Sequence, residues 1–212
     1  MNGGESQFSA EIPKEDSDWA LVEQVKTGND RAFDSLMERY KKPILNFVYR
    51  MIGNASEAED ITQDVFVRAY QTICKPSFSA GKGKFSTWLF QVAHNAAIDG
   101  IRRRKRQPAE SLHEVEEGGL DCAVTARTAD KILAEQELGK QIADAISELP
   151  ADQKTAIILA EYHDMSYSEI SEVMKCSEKS VEARLYRAKQ TLRQSLAHLL
   201  RDSIESLRHP RR

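Results

Sequence analysis

The chain has no apolar run approaching the ~18 residues that a membrane-spanning helix needs, so nothing in it suggests insertion into a bilayer. Its opening stretch, MNGGESQFSAEIPKED, is acidic where a secretory signal would be basic and then apolar, and a cytoplasmic protein is expected. Cysteine is scarce: Cys74, Cys122 and Cys176 are odd in number, widely spaced and without a CxxC pair. That argues against a disulfide framework or a zinc ribbon and for free thiols in a reducing compartment. Gly81-Lys82-Gly83-Lys84 has the look of a phosphate loop but lacks the Ser or Thr after Gly-Lys and the preceding strand that such a loop requires. The net charge of −3 leaves no room for a uniformly basic coat. Residues 17–106 nevertheless carry 15 Lys and Arg against 10 Asp and Glu, and residues 107–131 carry 2 against 6, so any nucleic-acid surface is local.

What is present is helical periodicity. With 212 residues, 41% hydrophobic and 30% charged, the chain fits a soluble all-α protein of two small domains. Residues 1–16 are poor in apolar side chains and are expected to be disordered. Asp16 or Ser17 could cap a short helix holding Trp19, Leu21, Val22 and Val25, closed by Gly28. Asn29 could cap the next, in which Phe33, Leu36, Met37, Tyr40, Ile44, Phe47, Val48 and Met51 recur at three- and four-residue steps, with a kink expected at Pro43. Asn54 or Ser56 opens a third helix. There Ala58, Ile61, Val65 and Ala69 form the buried strip, while Glu57, Asp60 and Asp64 share another face beside an exposed Phe66. Carboxylates in the first turn are explained by the helix dipole, but Gln63 and Asp64 lie beyond it. An acidic patch there could dock a basic partner, or could hold Mg²⁺ if a second helix offered matching carboxylates; none stands out.

The stretch FSTWLFQVAHNAAIDGIRRRKR, residues 85–106, is the most informative. Ser86 or Thr87 could cap it. Leu89, Ala93, Ala96, Ala97 and Gly100 fall on one side as a narrow apolar strip, and Trp88, Gln91, Asn95 and Arg102 fall on the other. Amides read base edges, aromatics stack on unpaired bases, and the run Arg102 to Arg106 can hold phosphates. The loop before it carries Phe78 and Lys84 and could help grip an extruded base. Residues 107–131, with Pro108, Gly118 and Gly119, read as an acidic linker between the domains.

The second domain, residues 132–200, begins with Ile132, Leu133, Leu138, Ile142, Ile146 and Leu149 at helical spacing and a stop at Pro150, followed by a helix through Ile157, Ile158, Leu159 and Tyr162. Ser166-Tyr-Ser-Glu169 is a capping box for a short helix, Tyr167 to Met174. A turn at Lys175 and Cys176 leads to Ser177, the cap of a long helix. With Ile170, Val181 and Leu185 as apolar anchors this is a helix-turn-helix, and Lys179, Ser180, Arg184, Arg187 and Lys189 are expected outward, suited to phosphates and guanine edges. His163 beside Asp164 has no third ligand or nucleophile nearby and reads as a loop histidine.

DITQDVFVRAY at 60–70, the helix at 85–106 and LPADQKTAIILAEYHDMSYSEISEVMKCSEKSVEARLYRAKQTL at 149–192 resemble the extracytoplasmic-function (ECF) group of bacterial RNA polymerase sigma factors, in the same order and with the same linker. The resemblance implies a non-enzymatic initiation factor, without metal or cofactor, whose partners are core polymerase (β′ clamp helices and β flap), promoter DNA and an anti-sigma factor. It implies that residues 17–106 correspond to sigma region 2, with Asp60, Gln63, Asp64 and Phe66 docking on polymerase. Phe78, Lys84, Trp88, Gln91, Asn95, Arg102 and Arg103 would then face the −10 element. It further implies that the segment Tyr167 to Tyr186 reads the −35 element, with Lys179, Ser180, Glu182, Arg184, Tyr186, Arg187 and Lys189 as contacts. Glu182 departs from the Arg or Lys common there; it could accept from cytosine N4 or turn to a neighbouring Arg. Residues 1–16 and 201–212 have no obvious counterpart in the family. Two other readings share parts of this pattern: a helix-turn-helix regulator that binds duplex DNA by itself, and a metal-dependent nucleotide hydrolase using Glu57, Asp60 and Asp64.

Overall fold

A computed structural model describes residues 14–79, 83–106 and 129–197, and among them there are eight α-helices and no strand. The first group comprises α1 (Lys14–Lys26), α2 (Asp30–Ile52), α3 (Ala55–Ile73) and α4 (Phe85–Arg106). The second comprises α5 (Ala129–Ser147), α6 (Ala151–Tyr162), α7 (Tyr167–Met174) and α8 (Glu178–Ser195). The all-α expectation holds. Some helix starts differ: α1 is already under way at Lys14, so Asp16 and Ser17 lie inside it rather than before it, and α5 starts at Ala129, inside the expected linker. Residues 1–13, most of the linker with Cys122, and the tail from 198 lie outside the described residues.

Local chemistry explains most helix ends. Gly28 and Gly53 adopt φ of +92° and +77°, a backbone state open to glycine at little cost, and each closes a helix. Asn54 caps α3 by accepting from the Glu57 amide at 2.8 Å. Asn29 stands at the start of α2 but makes no side-chain cap; its amide donates instead to Gln24 Oε1 at 3.1 Å. Pro43 is accommodated within one unbroken helix, Asp30–Ile52, since only one backbone bond of the ladder is lost. Neither Ser86 nor Thr87 caps α4, which begins one residue earlier; Thr87 is buried, with no hydrogen-bond partner for Oγ1 among the described residues.

The first core is built where the apolar periods converge. Val22, Leu36, Ile44, Phe47, Val48, Val65, Ile73, Leu89, Ala93 and Ala97 are all buried. The small residues of α4 matter here because they let α3 approach closely: a Cβ on Gly100 would stand 2.9 Å from Ile61 Cδ1. Asp18 is buried at the edge of this core, accepting from Arg39 and from the Tyr40 hydroxyl, so α1 is tied to α2 by a neutralised charge. In the second group Ile146, Leu149, Ile157, Ile158, Leu159, Ile170, Val173, Val181, Leu185 and Ala188 are buried, whereas Leu138, expected on the same apolar face of α5, stands 45% exposed.

The two groups are not held apart. α7 lies against α4 and α6 against α2, so the buried side chains of both halves form one cluster. Nothing in the periodicity of any single helix could have announced this. Leu89→Ala should cost about 2–5 kcal/mol through the cavity it leaves in a close-packed strip. Asn95→Ala, on the exposed side of the same helix, should stay within roughly 0.5 kcal/mol. Equal urea midpoints for the two variants would mean that the buried and exposed sides of α4 are wrongly assigned.

Candidate nucleic-acid interface

The helix-turn-helix forms as its sequence chemistry dictates. Ser166 accepts from the Glu169 amide while the Glu169 carboxylate accepts from the Ser166 amide, a reciprocal box that starts α7. Lys175 takes up the left-handed state, φ +50°, to end it, and Ser177 accepts from the Ser180 amide at 3.3 Å to start α8. Ile170, Val181 and Leu185 are buried between the two helices and α6.

On the outer side of α8, Lys179, Glu182, Tyr186 and Arg187 face solvent, Tyr186 at 69% exposure. Glu182 pairs with no arginine among the described residues, which leaves its carboxylate available as an acceptor. Arg184 corrects the expectation of an outward guanidinium. It turns back toward the turn and α6, donating to Cys176 Sγ at 2.8 Å and to Asp152 Oδ2 at 3.2 Å, because its stem emerges beside the buried Val181 and Leu185. Ser180 is half-buried at the helix start, and Lys189 pairs with Glu161 at 2.8 Å, which raises its pKa.

The expected strand-reading side of α4 is only partly open. Asn95, Arg102 and Arg103 are exposed, and Asp99, Arg102, Arg103 and Arg106 line a shallow concavity. Phe78 and Trp88 are half-buried with ring centroids 5.2 Å apart, and Trp88 also lies 5.5 Å from Phe85. Residues 80–82 of the preceding loop lie outside the described residues. Gln91 donates its amide to the Glu172 carbonyl at 2.8 Å, and Lys84 pairs with Glu169 at 3.2 Å. Both partners belong to α7.

On α3, Asp60, Gln63 and Asp64 are exposed together as expected, but Phe66 is not. It is 7% exposed and meets Phe33 edge to face, centroids 6.4 Å apart, because α2 covers that side of α3. The exposed apolar groups beside the acidic patch are Val67, at 54%, and Tyr70, at 36%, whose hydroxyl donates to Asp30 at 2.8 Å. Val67 and Tyr70 continue the face of Asp60, Gln63 and Asp64 at three- and four-residue steps, so helical spacing past Asp64 could have found them. Glu57 separates from Asp60 and Asp64: it is paired by Arg104, which also donates to the Ile52 carbonyl at 3.1 Å, and by Arg103 at 4.0 Å. Its charge is thus neutralised, and among the described residues no three of His, Cys, Asp or Glu converge as metal ligands.

His163 stands in the loop after α6, as expected, but it is half-buried there, with Phe90 at 4.7 Å and Phe47 at 6.1 Å between ring centroids, and Nε2 has no hydrogen-bond partner among the described residues. Burial, reinforced by the Arg50 guanidinium, pushes its pKa down to about 4, with Asp164 opposing. His94 on α4 is lowered as well, chiefly by burial, and lies 3.4 Å from the Thr155 hydroxyl of α6. Arg50 stacks over the Tyr162 ring at 3.6 Å, and Thr155 Oγ1 is 3.5 Å from Met51 Sδ.

These features define an all-helical protein of two modules, one of them a helix-turn-helix whose second helix presents base-reading chemistry. Comparison with known proteins makes the class specific. Residues 36–107 match the Sigma-70 region 2 family and residues 139–192 match Sigma-70 region 4. The ECF RNA polymerase sigma factor SigW of Bacillus subtilis (strain 168) is 36% identical, over 84% of this chain and 96% of its own length. The RNA polymerase sigma-H factor of Pseudomonas aeruginosa is 31% identical, over 89% of this chain and 98% of its own. Among solved structures, CnrH in complex with the cytosolic domain of CnrY matches with a TM-score of 0.62 and 25% identity, over 86% of this chain and 98% of that one. RpoE with the anti-sigma factor NepR from Bartonella quintana shares the fold at a TM-score of 0.60 and 22% identity, over 78% and 96%. The chain belongs to the ECF group of the sigma-70 family and is an RNA polymerase sigma factor.

The titration of His163 offers a direct check on the contact between the modules. By proton NMR its imidazole should titrate near pH 4, well below the ordinary 6.5. A midpoint at the ordinary value would mean that the ring is solvated and the two modules are apart.

Proposed function

We propose that the chain binds core RNA polymerase through the exposed side of α3, reads a −35 element with α8 and receives one strand of the −10 element on α4, without enzymatic activity of its own. The observation that supports this best is the sorting of residue types by face. Asp60, Gln63 and Asp64 lie exposed beside Val67 and Tyr70 on α3. Lys179, Glu182, Tyr186 and Arg187 lie exposed on α8. Asn95, Arg102 and Arg103 lie exposed on α4, with Trp88, Phe78 and Gln91 beside them. Acidic and apolar groups suit a basic protein partner, Arg and Glu suit base edges in a groove, and amide with aromatic suits an unpaired base held by its edge and its face. Residues 17–106 and 132–200 are the units assigned to these tasks, with the acidic stretch between them a connector that reaches toward the RNA exit path. An anti-sigma factor is the expected inhibitor; the sigma factor RpoE from Bartonella quintana, which shares the fold, is solved with the anti-sigma factor NepR. The described residues contain no helix long and apolar enough to cross a membrane, and action in the cytoplasm fits that reading.

The autonomous-regulator reading shares α7 and α8 but leaves the α3 face without a task. The hydrolase reading loses Glu57 to Arg104.

Reversal of Asp60 and Asp64 to Lys should weaken association with core polymerase at least tenfold while leaving helicity unchanged, because both side chains are exposed. Unchanged retention on immobilised core enzyme would remove α3 as the docking face. Arg187→Ala should cost about 1–3 kcal/mol and relax preference at one −35 base pair if the guanidinium is bidentate to guanine. A loss uniform across a base-substitution panel would reduce it to a phosphate contact. Arg184→Ala, by contrast, should lower the melting temperature of the protein, since its guanidinium is bonded to Cys176 and Asp152 within the domain.

A further inference from the structure

Residues 74–84 join α3 to α4, and part of what fixes them lies far back in the chain, on α1. The Trp19 indole donates from Nε1 to the Gly83 carbonyl at 3.0 Å, across 64 residues of sequence. That carbonyl lies one residue before the Lys84 carbonyl, which accepts from the Trp88 amide at 3.3 Å to open the ladder of α4. The indole therefore aims a backbone group at the point where the connection turns into the helix. Its ring does a second task. Trp19 lies 6.4 Å from Phe78 and 5.6 Å, edge to face, from Phe85, between ring centroids. Phe78 and Phe85 in turn lie 5.2 Å and 5.5 Å from Trp88. Two chains of ring contacts thus run from Trp19 to Trp88, one through Phe78 and one through Phe85.

Trp19 is itself firmly held. The residue before it, Asp18, is buried and accepts from Arg39 and from the Tyr40 hydroxyl, and the Tyr40 ring meets Phe85 at 5.6 Å. Elsewhere on α1 the core is made by aliphatic side chains, Val22 and Val25, both buried. At Trp19, which is only half-buried, burial of apolar area asks for another of these and has no use for a donor. An indole supplies both a wide ring and an N–H, and here each finds a partner in or beside the segment that leads into α4.

We propose that Trp19 is a positioning residue for strand recognition: from α1 it holds Phe78, Gly83 and, through the ring contacts, Trp88 in the arrangement that receives an unpaired base. Stacking on a half-exposed aromatic is sequence-tolerant, because every base has a face. Discrimination comes from bringing one edge of that base to a fixed donor or acceptor, and this demands that the stacking rings themselves do not shift. Trp19 touches no strand in this role. It acts only if α4 receives the strand as assigned above, whereas the anchoring of Phe78 and Gly83 stands without that assignment.

The test uses holoenzyme assembled from core polymerase and the full-length chain. The template is a promoter located by run-off transcription and pre-melted across its −10 region, with each of the four bases placed in turn at each non-template position. Preference is read as the ratio of run-off yields between templates, which does not depend on how much of a variant is folded. Trp19→Phe keeps a ring and loses the donor. Trp19 replaced by benzothienylalanine keeps both fused rings and loses only the N–H. Each should lower the preference at one non-template position about tenfold, the scale of one hydrogen bond, with retention on immobilised core polymerase unchanged. In the free chain, the indole proton of Trp19, one of two tryptophans and assigned by its loss in Trp19→Phe, should exchange with deuterium roughly tenfold or more slower than that of free tryptophan. A Trp19 proton that exchanges freely overturns the anchoring. A preference left intact in the benzothienylalanine chain, or yields reduced alike on every template, makes Trp19 a packing residue and overturns the proposal. Asn95→Ala is the reference that locates the fault. If it flattens the preference and the Trp19 replacements do not, only the role of Trp19 has failed; if it also leaves the preference intact, the assignment of α4 has failed with it.

Discussion

Everything in the first module depends on how closely α4 can approach its neighbours. Ala93, Ala96, Ala97 and Gly100 leave no bulk between α4 and α3, to the point that a single added carbon at Gly100 would meet Ile61 at 2.9 Å. With that strip seated, the rest of the helix has no freedom of rotation. Trp88 is set against Phe78 and Phe85, Asn95 and Arg102 are turned outward, and the basic end reaches Glu57 through Arg103 and Arg104. The same rigid seating presents Gln91 and Phe90 to the second module, so one packing constraint sets both the side of α4 turned to solvent and the side taken by α7.

The contact between modules is made of groups that are individually weak. A cation over a ring, a ring edge against an unpaired imidazole and one amide bond to a carbonyl are each worth little in water. Their value lies in arrangement: the buried rings exclude water from His163, and that exclusion makes protonation costly.

Much of this was legible in the sequence, because helical period and capping chemistry are local. The box at Ser166 and Glu169, the cap at Ser177, the extent of α7 and the buried strip of α4 all stand where residue spacing puts them. What was not legible depends on partners distant in the chain. Phe66 reads as exposed on a helical wheel of α3 and is buried because α2 lies over it, leaving Val67 and Tyr70 outside. Arg184 points outward on a wheel of α8 and folds back because Asp152 and Cys176 lie within its reach. His163, alone between an apolar helix and a loop, gives no sign that Phe47 and Phe90, more than seventy residues earlier, will enclose it.

Initiation by core polymerase under the direction of this chain is the claim on which the rest turns. Purified core enzyme, with and without the chain, is to be given fragmented genomic DNA, and the 5′ ends of the transcripts sequenced. The account predicts start sites that depend wholly on the chain and that share two upstream elements at constant spacing, the distal one altered in its preferred base when Arg187 is replaced. Transcripts that start at the same sites without the chain, or none at all while the chain alone binds duplex DNA with high specificity, would contradict it.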